Sequence, residues 1–262
     1  MTDDLRHTAR LATARLSLAC LDLTSLNTHD DAAAISALCA RALGPAGHPA
    51  ALCVWPRFVA QARAALPQAV RVAAVANFPA GGTDVPIAVA DARAIIQAGG
   101  DEVDLVLPWR ALQGGDAAAA EGLVAAVRAA TTGHTLKLII ESGALATAGL
   151  IHQACLIGLD AGVDFLKTST GKLPAGATPD AARVLLQAIA GHARAAQVGF
   201  KASGGVRSLA DAAVYIDLVR EILGESALTP QRLRFGASGL LGDIEALLGG
   251  TGSGKSSAPG AY

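Results

Sequence analysis

Short apolar runs alternate with Ala/Leu-rich amphipathic stretches along the chain. The runs predict strands at Ser17–Leu23, Ala51–Trp55, Arg71–Phe78, Glu102–Leu107, Thr135–Glu141, Asp164–Thr168, Gln197–Ala202 and Leu233–Ala237. Helical spacing predicts helices near 30–43, 57–66, 84–98, 117–131, 147–160, 178–193 and 208–223, with a short one near 240–248. The segment before the first strand reads as an extra N-terminal helix. Strand alternating with helix argues for parallel strands joined by crossover helices. Eight such units within 262 residues fit an α/β fold, the (β/α)8 TIM barrel. An open doubly wound sheet is the runner-up, and it does not ordinarily need eight units. No compositional break divides residues 1–248, which read as one barrel domain. Residues 249–262 read as a flexible Gly/Ser-rich tail.

Side chains alternate across a strand, so each strand sorts into two faces. If the apolar face packs on the helices, Val103 and Leu105 point outward and Glu102 and Asp104 inward. The same rule turns Cys20, Asp22 and Thr24, then Lys137 and Glu141, Lys167, Lys201 and Arg234 into the barrel. The expected interior thus holds the acids Asp22, Glu102, Asp104 and Glu141 against Lys137, Lys167, Lys201 and Arg234. Burying charge is costly, and apolar side chains would fill a purely structural core better. The interior is therefore a candidate functional site. Lys137 and Glu102 lie toward the strand starts and read as a structural ion pair.

The sharpest signal is a lysine in each of two neighbouring apolar strands: Lys167 in Asp164-Phe-Leu-Lys-Thr-Ser-Thr-Gly-Lys172 and Lys201 in Val198-Gly-Phe-Lys-Ala-Ser-Gly-Gly205. Lysine is rarely fully buried. Desolvation and a like charge both disfavour its cationic form. A lysine that loses its proton near neutrality is the amine nucleophile that forms Schiff bases with carbonyl substrates. The bland alternative, that each lysine only braces the barrel through a buried acid, accounts for one lysine better than for two.

Composition narrows the field. Formal net charge is −1, which argues against nucleic acid or an anionic membrane as partner. Aromatic residues make up 3%, too few for base-stacking platforms. Cys20, Cys39, Cys53 and Cys155 form no CxxC pair and read as reduced thiols of a cytosolic protein. No window is apolar for long enough to span a bilayer. Asp3 and Asp4 ahead of Arg6 do not make the basic start of a signal peptide.

Glycine-bearing turns follow the last three strands, at Thr170-Gly-Lys172, Ser203-Gly-Gly-Val-Arg207 and Gly236-Ala-Ser-Gly239. Barrels bind phosphate at such turns through backbone N–H groups. Gly204 and Gly205 let backbone approach an anion, Ser208 reads as a helix N-cap, and Ser238 and Lys172 add a hydroxyl and a charge. The stretch Gly249-x4-Gly254-Lys255-Ser256 matches the nucleotide P-loop pattern. It lacks the strand before and the helix after that the pattern needs, so nucleotide binding there is not expected.

These residues, with Leu21-Asp-Leu-Thr24, Cys53-Val-Trp-Pro-Arg-Phe58, Asn77-Phe-Pro79, Asp101-Glu-Val-Asp104, Lys137 to Gly143 and Arg234-Phe-Gly-Ala-Ser238, resemble the deoxyribose-phosphate aldolases over nearly the whole chain. These are class I aldolases with a (β/α)8 barrel. The resemblance implies reversible cleavage of 2-deoxy-D-ribose 5-phosphate to D-glyceraldehyde 3-phosphate and acetaldehyde, without metal or organic cofactor. It implies Lys167 as the Schiff-base lysine, Lys201 as the residue lowering its pKa, and Asp104 as proton relay. Asp22, Cys53, Thr170, Gly171, Lys172, Gly204, Gly205, Gly236 and Ser238 would surround the sugar phosphate. Tyr262 would be a further proton relay, and the protein a cytoplasmic homodimer in deoxyribose phosphate catabolism. Gly239 departs from relatives that carry a hydroxyl there, which removes one phosphate contact. Two readings compete: another Schiff-base barrel aldolase with a different donor, and a non-catalytic barrel that binds sugar phosphate.

Overall fold

The computed structural model describes residues 2–249. Helix α1 (Thr2–Ala19) leads into β1 (Leu21–Thr24), followed by α2 (Ala32–Ala42), β2 (Ala51–Val54), α3 (Val59–Ala65), β3 (Arg71–Ala76), α4 (Val85–Gln97) and β4 (Glu102–Val106). Then come short α5 (Trp109–Gln113), α6 (Ala117–Ala130), β5 (Thr135–Ile139), short α7 (Ser142–Leu145), α8 (Ala148–Ala161) and β6 (Phe165–Lys167). The chain closes with α9 (Pro179–Ala190), β7 (Gly199–Ser203), α10 (Leu209–Leu223), β8 (Leu233–Ala237) and α11 (Leu240–Leu248). The eight parallel strands form a closed barrel in sequence order, with β8 returning to β1. The expected fold and its extra N-terminal helix are both present.

The strands read as near-continuous apolar runs because helices cover their outer face and side chains fill the barrel. Leu52, Val72, Ala74, Val103, Leu105, Leu136, Leu138, Leu166 and Phe200 are all buried in one core cluster with helix residues such as Ile95, Val124, Leu185 and Val219. Local polar residues start the helices: Asp31, Asp84, Asp116, Thr147 and Thr178 each accept the N–H three residues on. Ser208 and Asp211 form a capping box at α10. Gly162, at φ 86°, stops α8 with a left-handed residue that carries no Cβ penalty.

The expected first strand starts too early. Residues Ser17 to Ala19 belong to α1, because Ala14 and Leu18 recur at helical spacing and are buried; α1 packs on α10 and α11. The expected fifth strand runs too far. Strand β5 ends at Ile139, and Glu141 takes a left-handed conformation, φ 57°.

Candidate active site

Parallel register brings the interior charges together. Asp104 lies opposite Lys137, and Lys167 lies opposite Lys201. The two strands that would otherwise crowd this interior carry small side chains there. Cys53, Ala73 and Val75 form a second apolar cluster with Leu26, which leaves room for the long lysines.

Asp104 is the hub. Its Oδ1 accepts from Lys137 Nζ at 2.7 Å, and its Oδ2 accepts from Lys167 at 2.8 Å and Lys201 at 2.7 Å. Lys201 also reaches Asp22 at 2.5 Å, and Lys137 reaches Glu102 at 2.6 Å. Arg234 closes the floor of the network on Asp22 at 2.6 Å and Glu102 at 2.9 Å. Its guanidinium also lies 5.4 Å from the Phe165 ring centre. That ring occupies the space beside Gly199, where an added Cβ would come within 2.3 Å of it.

Two sequence expectations change here. Lys137 is more than a partner for Glu102, since it holds one oxygen of Asp104; the strand register that decides this is a tertiary property. Glu141 does not join the network. The left-handed backbone after β5 takes it off the strand's alternation. It accepts instead from the Thr170 hydroxyl at 2.6 Å and the Thr170 N–H at 3.3 Å. The network proper therefore sets three carboxylates against four cations.

That imbalance falls on Lys167. Burial pushes its amine down and Asp104 pushes back, but the charge of Lys201 adds to burial and the net direction is down. Burial also pushes Lys201 and Lys137 down, but their carboxylates outweigh it: Asp104 and Asp22 hold Lys201 up, and Asp104, Asp22 and Glu102 hold Lys137 well up. Burial pushes the Asp104 and Asp22 carboxyls up, and the surrounding cations hold both far below the usual carboxylate range. Two lysines in matching positions are thus shifted in opposite directions, Lys201 toward the cation and Lys167 toward the neutral amine. If Lys167 is neutral, three carboxylates face three cations and the interior balances.

Above these groups, at the C-terminal strand ends, lies a cavity of about 130 Å³. Thr170, Gly171, Gly204, Gly205, Gly236 and Ser238 all line it, as their turn positions suggested. Thr24, Leu26, Ser203, Val206 and Arg207 join them. The inward face of the first strand signals Thr24, and the Ser203-Gly-Gly-Val-Arg207 turn signals Ser203, Val206 and Arg207; only Leu26 carries no signal. Gly171, Gly204 and Gly205 have φ of 74°, 85° and 92°, so their N–H groups point where an L side chain rarely allows. The start of α10 is already occupied: Asp243 takes the Leu209 N–H at 2.7 Å, and Ser208 takes that of Asp211. The start of α11 at Gly239 has no side-chain cap. An anion is therefore better served by the Gly204–Gly205 turn and the Ser238–Leu240 segment than by α10.

Lys172 lies beside the cavity, its ammonium donating to the Leu26 carbonyl at 2.7 Å. Asp22 is fully buried inside the network. Cys53 is buried next to Leu26, and burial raises its thiol pKa. Tyr262 lies outside the described residues, as does the P-loop-like pattern beyond Gly249. Two wider clefts open among the strand starts, around Arg71, Asp101 and His134 and around His48 and Arg71. Neither contains Lys167, Lys201 or Asp104.

Comparison with known proteins follows the same lines. Residues 16–227 match the DeoC/LacD family aldolase model. The chain is 44% identical over 253 residues to deoxyribose-phosphate aldolase of Agrobacterium fabrum, covering 95% of this chain and 96% of that one. A Toxoplasma gondii structure described as a deoxyribose-phosphate aldolase superposes with TM-score 0.83 at 22% identity, over 92% of this chain and 94% of that one. One from Coccidioides immitis gives TM-score 0.77 at 25% identity, over 92% and 96%. A deoxyribose phosphate aldolase from Aeropyrum pernix, described as a tetramer, gives 0.69 at 22% identity, over 93% and 97%.

Proposed function

Since the chain belongs to the DeoC/LacD aldolase family, we propose that it reversibly cleaves 2-deoxy-D-ribose 5-phosphate to D-glyceraldehyde 3-phosphate and acetaldehyde. The observation that carries this reading is the asymmetry of the two buried lysines, Lys167 pushed down and Lys201 held up over one shared Asp104 oxygen.

Neutral Lys167 attacks C1 of the open-chain sugar, and loss of water gives an iminium. The iminium accepts the electron pair of the C2–C3 bond as that bond breaks. The C3 hydroxyl loses its proton, C3 becomes the aldehyde of glyceraldehyde 3-phosphate, and an enamine stays on Lys167. Protonation of the enamine carbon and addition of water release acetaldehyde and restore the amine. Asp104, held ionised at rest by its three cations, takes and returns protons beside Lys167 in the course of the reaction. Lys201 supplies the fixed positive charge that keeps Lys167 an amine. The phosphate sits against Gly204, Gly205, Gly236 and Ser238, with Thr170, Gly171 and Lys172 around the sugar hydroxyls. Remote binding of this kind holds C2–C3 in line for cleavage.

The same proposal covers the molecule as a whole: one catalytic barrel over 1–248 with a tail at 249–262, working as a cytoplasmic homodimer. No helix among the described residues is long and apolar enough to cross a membrane. Sedimentation equilibrium tests the dimer, and deletion of residues 249–256 without loss of cleavage tests the division. Removal of Tyr262 is expected to slow proton exchange at the acetaldehyde methyl.

Borohydride trapping with acetaldehyde and peptide mass mapping test the central claim. An ethyl adduct on Lys167, absent in Lys167→Leu, is the expected result. An adduct on Lys201 or Lys137 would reverse the roles. A folded protein with no adduct would overturn the aldolase reading in favour of sugar-phosphate binding.

A further inference from the structure

Glu141 is a buried carboxyl that the mechanism does not use. It lies outside the ion network, and among the described residues the hydrogen-bond partner of its carboxylate is Thr170 alone. Burial raises its pKa, against the Thr170 hydrogen bonds and the electrostatic pull of Lys167 and Arg110. It is also one of three non-glycine residues held at positive φ among the described residues. A buried carboxyl in a strained backbone position is a poor choice for mere packing.

Its contacts lead to the substrate side. The Thr170 hydroxyl donates its proton to Glu141, so its lone pairs face elsewhere, and one takes the Lys172 N–H at 3.1 Å. That pair of bonds fixes the turn Thr170-Gly171-Lys172. Gly171 packs on Gly204, where a Cβ added to Gly204 would stand 3.4 Å from the Gly171 Cα. The same segment supports the loop from below a second time. A Cβ added at Gly143 would meet the Ala175 carbonyl at 2.4 Å, so backbone packs directly on backbone.

We propose that Glu141 is a positioning residue for the sugar-phosphate reaction, which sets the Thr170–Lys172 turn over Lys167 and, through Gly171, the Gly204 turn beside it. This rests on the aldolase reading above. The residue touches no reacting atom. It acts on the part of the substrate beyond C2, which acetaldehyde lacks.

The test exploits that difference. In Glu141→Ala the KM for 2-deoxyribose 5-phosphate is expected to rise about tenfold or more, while the rate of borohydride trapping of acetaldehyde on Lys167 stays within about twofold. Glu141→Gln keeps an acceptor for the Thr170 hydroxyl and is expected to recover most of the KM. Should Glu141→Ala fail to fold, Glu141→Asp replaces it: the shorter side chain draws the carboxylate back from the Thr170 hydroxyl, and a smaller rise in KM with unchanged trapping is expected. An unchanged KM, or acetaldehyde trapping that falls in step with cleavage, overturns the proposal. If the wild-type protein traps no acetaldehyde, the aldolase reading is what has failed. Glu141 is then judged by D-glyceraldehyde 3-phosphate binding in calorimetry: weakening by Glu141→Ala supports its role, and equal affinity overturns it.

Discussion

Lys167 and Lys201 are the same residue type, in register, both buried and both bonded to one carboxylate oxygen. What separates them is a second carboxylate: Asp22 touches Lys201 and does not touch Lys167. The sign of each neighbour's effect follows. Lys201→Met removes a positive charge beside Lys167, so the amine holds its proton more tightly. The pH profile of acetaldehyde trapping is expected to move up by roughly one to three units. Asp104→Asn removes the charge that favours the ammonium, so the trapping profile is expected to move down. Cleavage in the same variant is expected to fall by roughly 10²–10⁴-fold, the usual worth of a positioned acid–base group. Trapping and cleavage measured together across pH separate the two effects. The two lysines stood out in the sequence as charges in apolar strands. Their division of labour came from the family resemblance and not from the residues themselves, because Asp22 is brought to Lys201 only when β8 returns to β1.

At the scale of elements, the candidate site depends on turns that pack backbone against backbone. Gly176 lies in the loop before α9, and a Cβ there would meet the Gly204 carbonyl oxygen at 2.4 Å, with no flexible side chain to yield. Gly176→Ala is expected to part the turns after β6 and β7 and to raise the KM for sugar phosphate about tenfold. Acetaldehyde trapping should change little, because Lys167 is on the strand and not in the turn. Steady-state kinetics beside trapping check this. The strands were legible because burial on both faces writes them as short apolar runs with polar breaks. Their ends were less so. Ser17 to Ala19 read as strand and are helix, since an apolar stretch fits either until its partners are known. The short helices α5 and α7 escaped notice because five and four residues carry too little periodicity to register. Glu141 was misplaced for a related reason: alternation holds only while the backbone stays extended, and it leaves that region at this residue.

At the scale of the molecule, the interior network couples stability to pH from both sides. Asp22 and Asp104 have folded pKa values below their unfolded ones. They stabilise the fold above about pH 4 and lose that contribution as pH falls toward the folded values. Lys137 and Lys201 have raised folded values. Their contribution is complete below about pH 10.4 and fades as pH rises through the folded values. Urea midpoints are therefore expected to gain nothing from these groups between about pH 6 and 9 and to drop steeply below about pH 4. Lys137→Met strips one cation from Asp104, Glu102 and Asp22 together, and is expected to cost about 3–5 kcal/mol at pH 7. Equilibrium unfolding checks both statements.

The sequence by itself determined the barrel, through eight apolar runs spaced by amphipathic helices, and, Glu141 apart, the charged inventory of its interior, through strand alternation. It also marked the glycine turns of the cavity. These are local patterns, set by the two periodicities of the backbone. The tertiary structure alone decided which carboxylate each lysine meets and which lysine is pushed toward the neutral form. Those outcomes depend on barrel closure and strand register, which place residues far apart in the chain within 3 Å of one another and give each charge its particular neighbours.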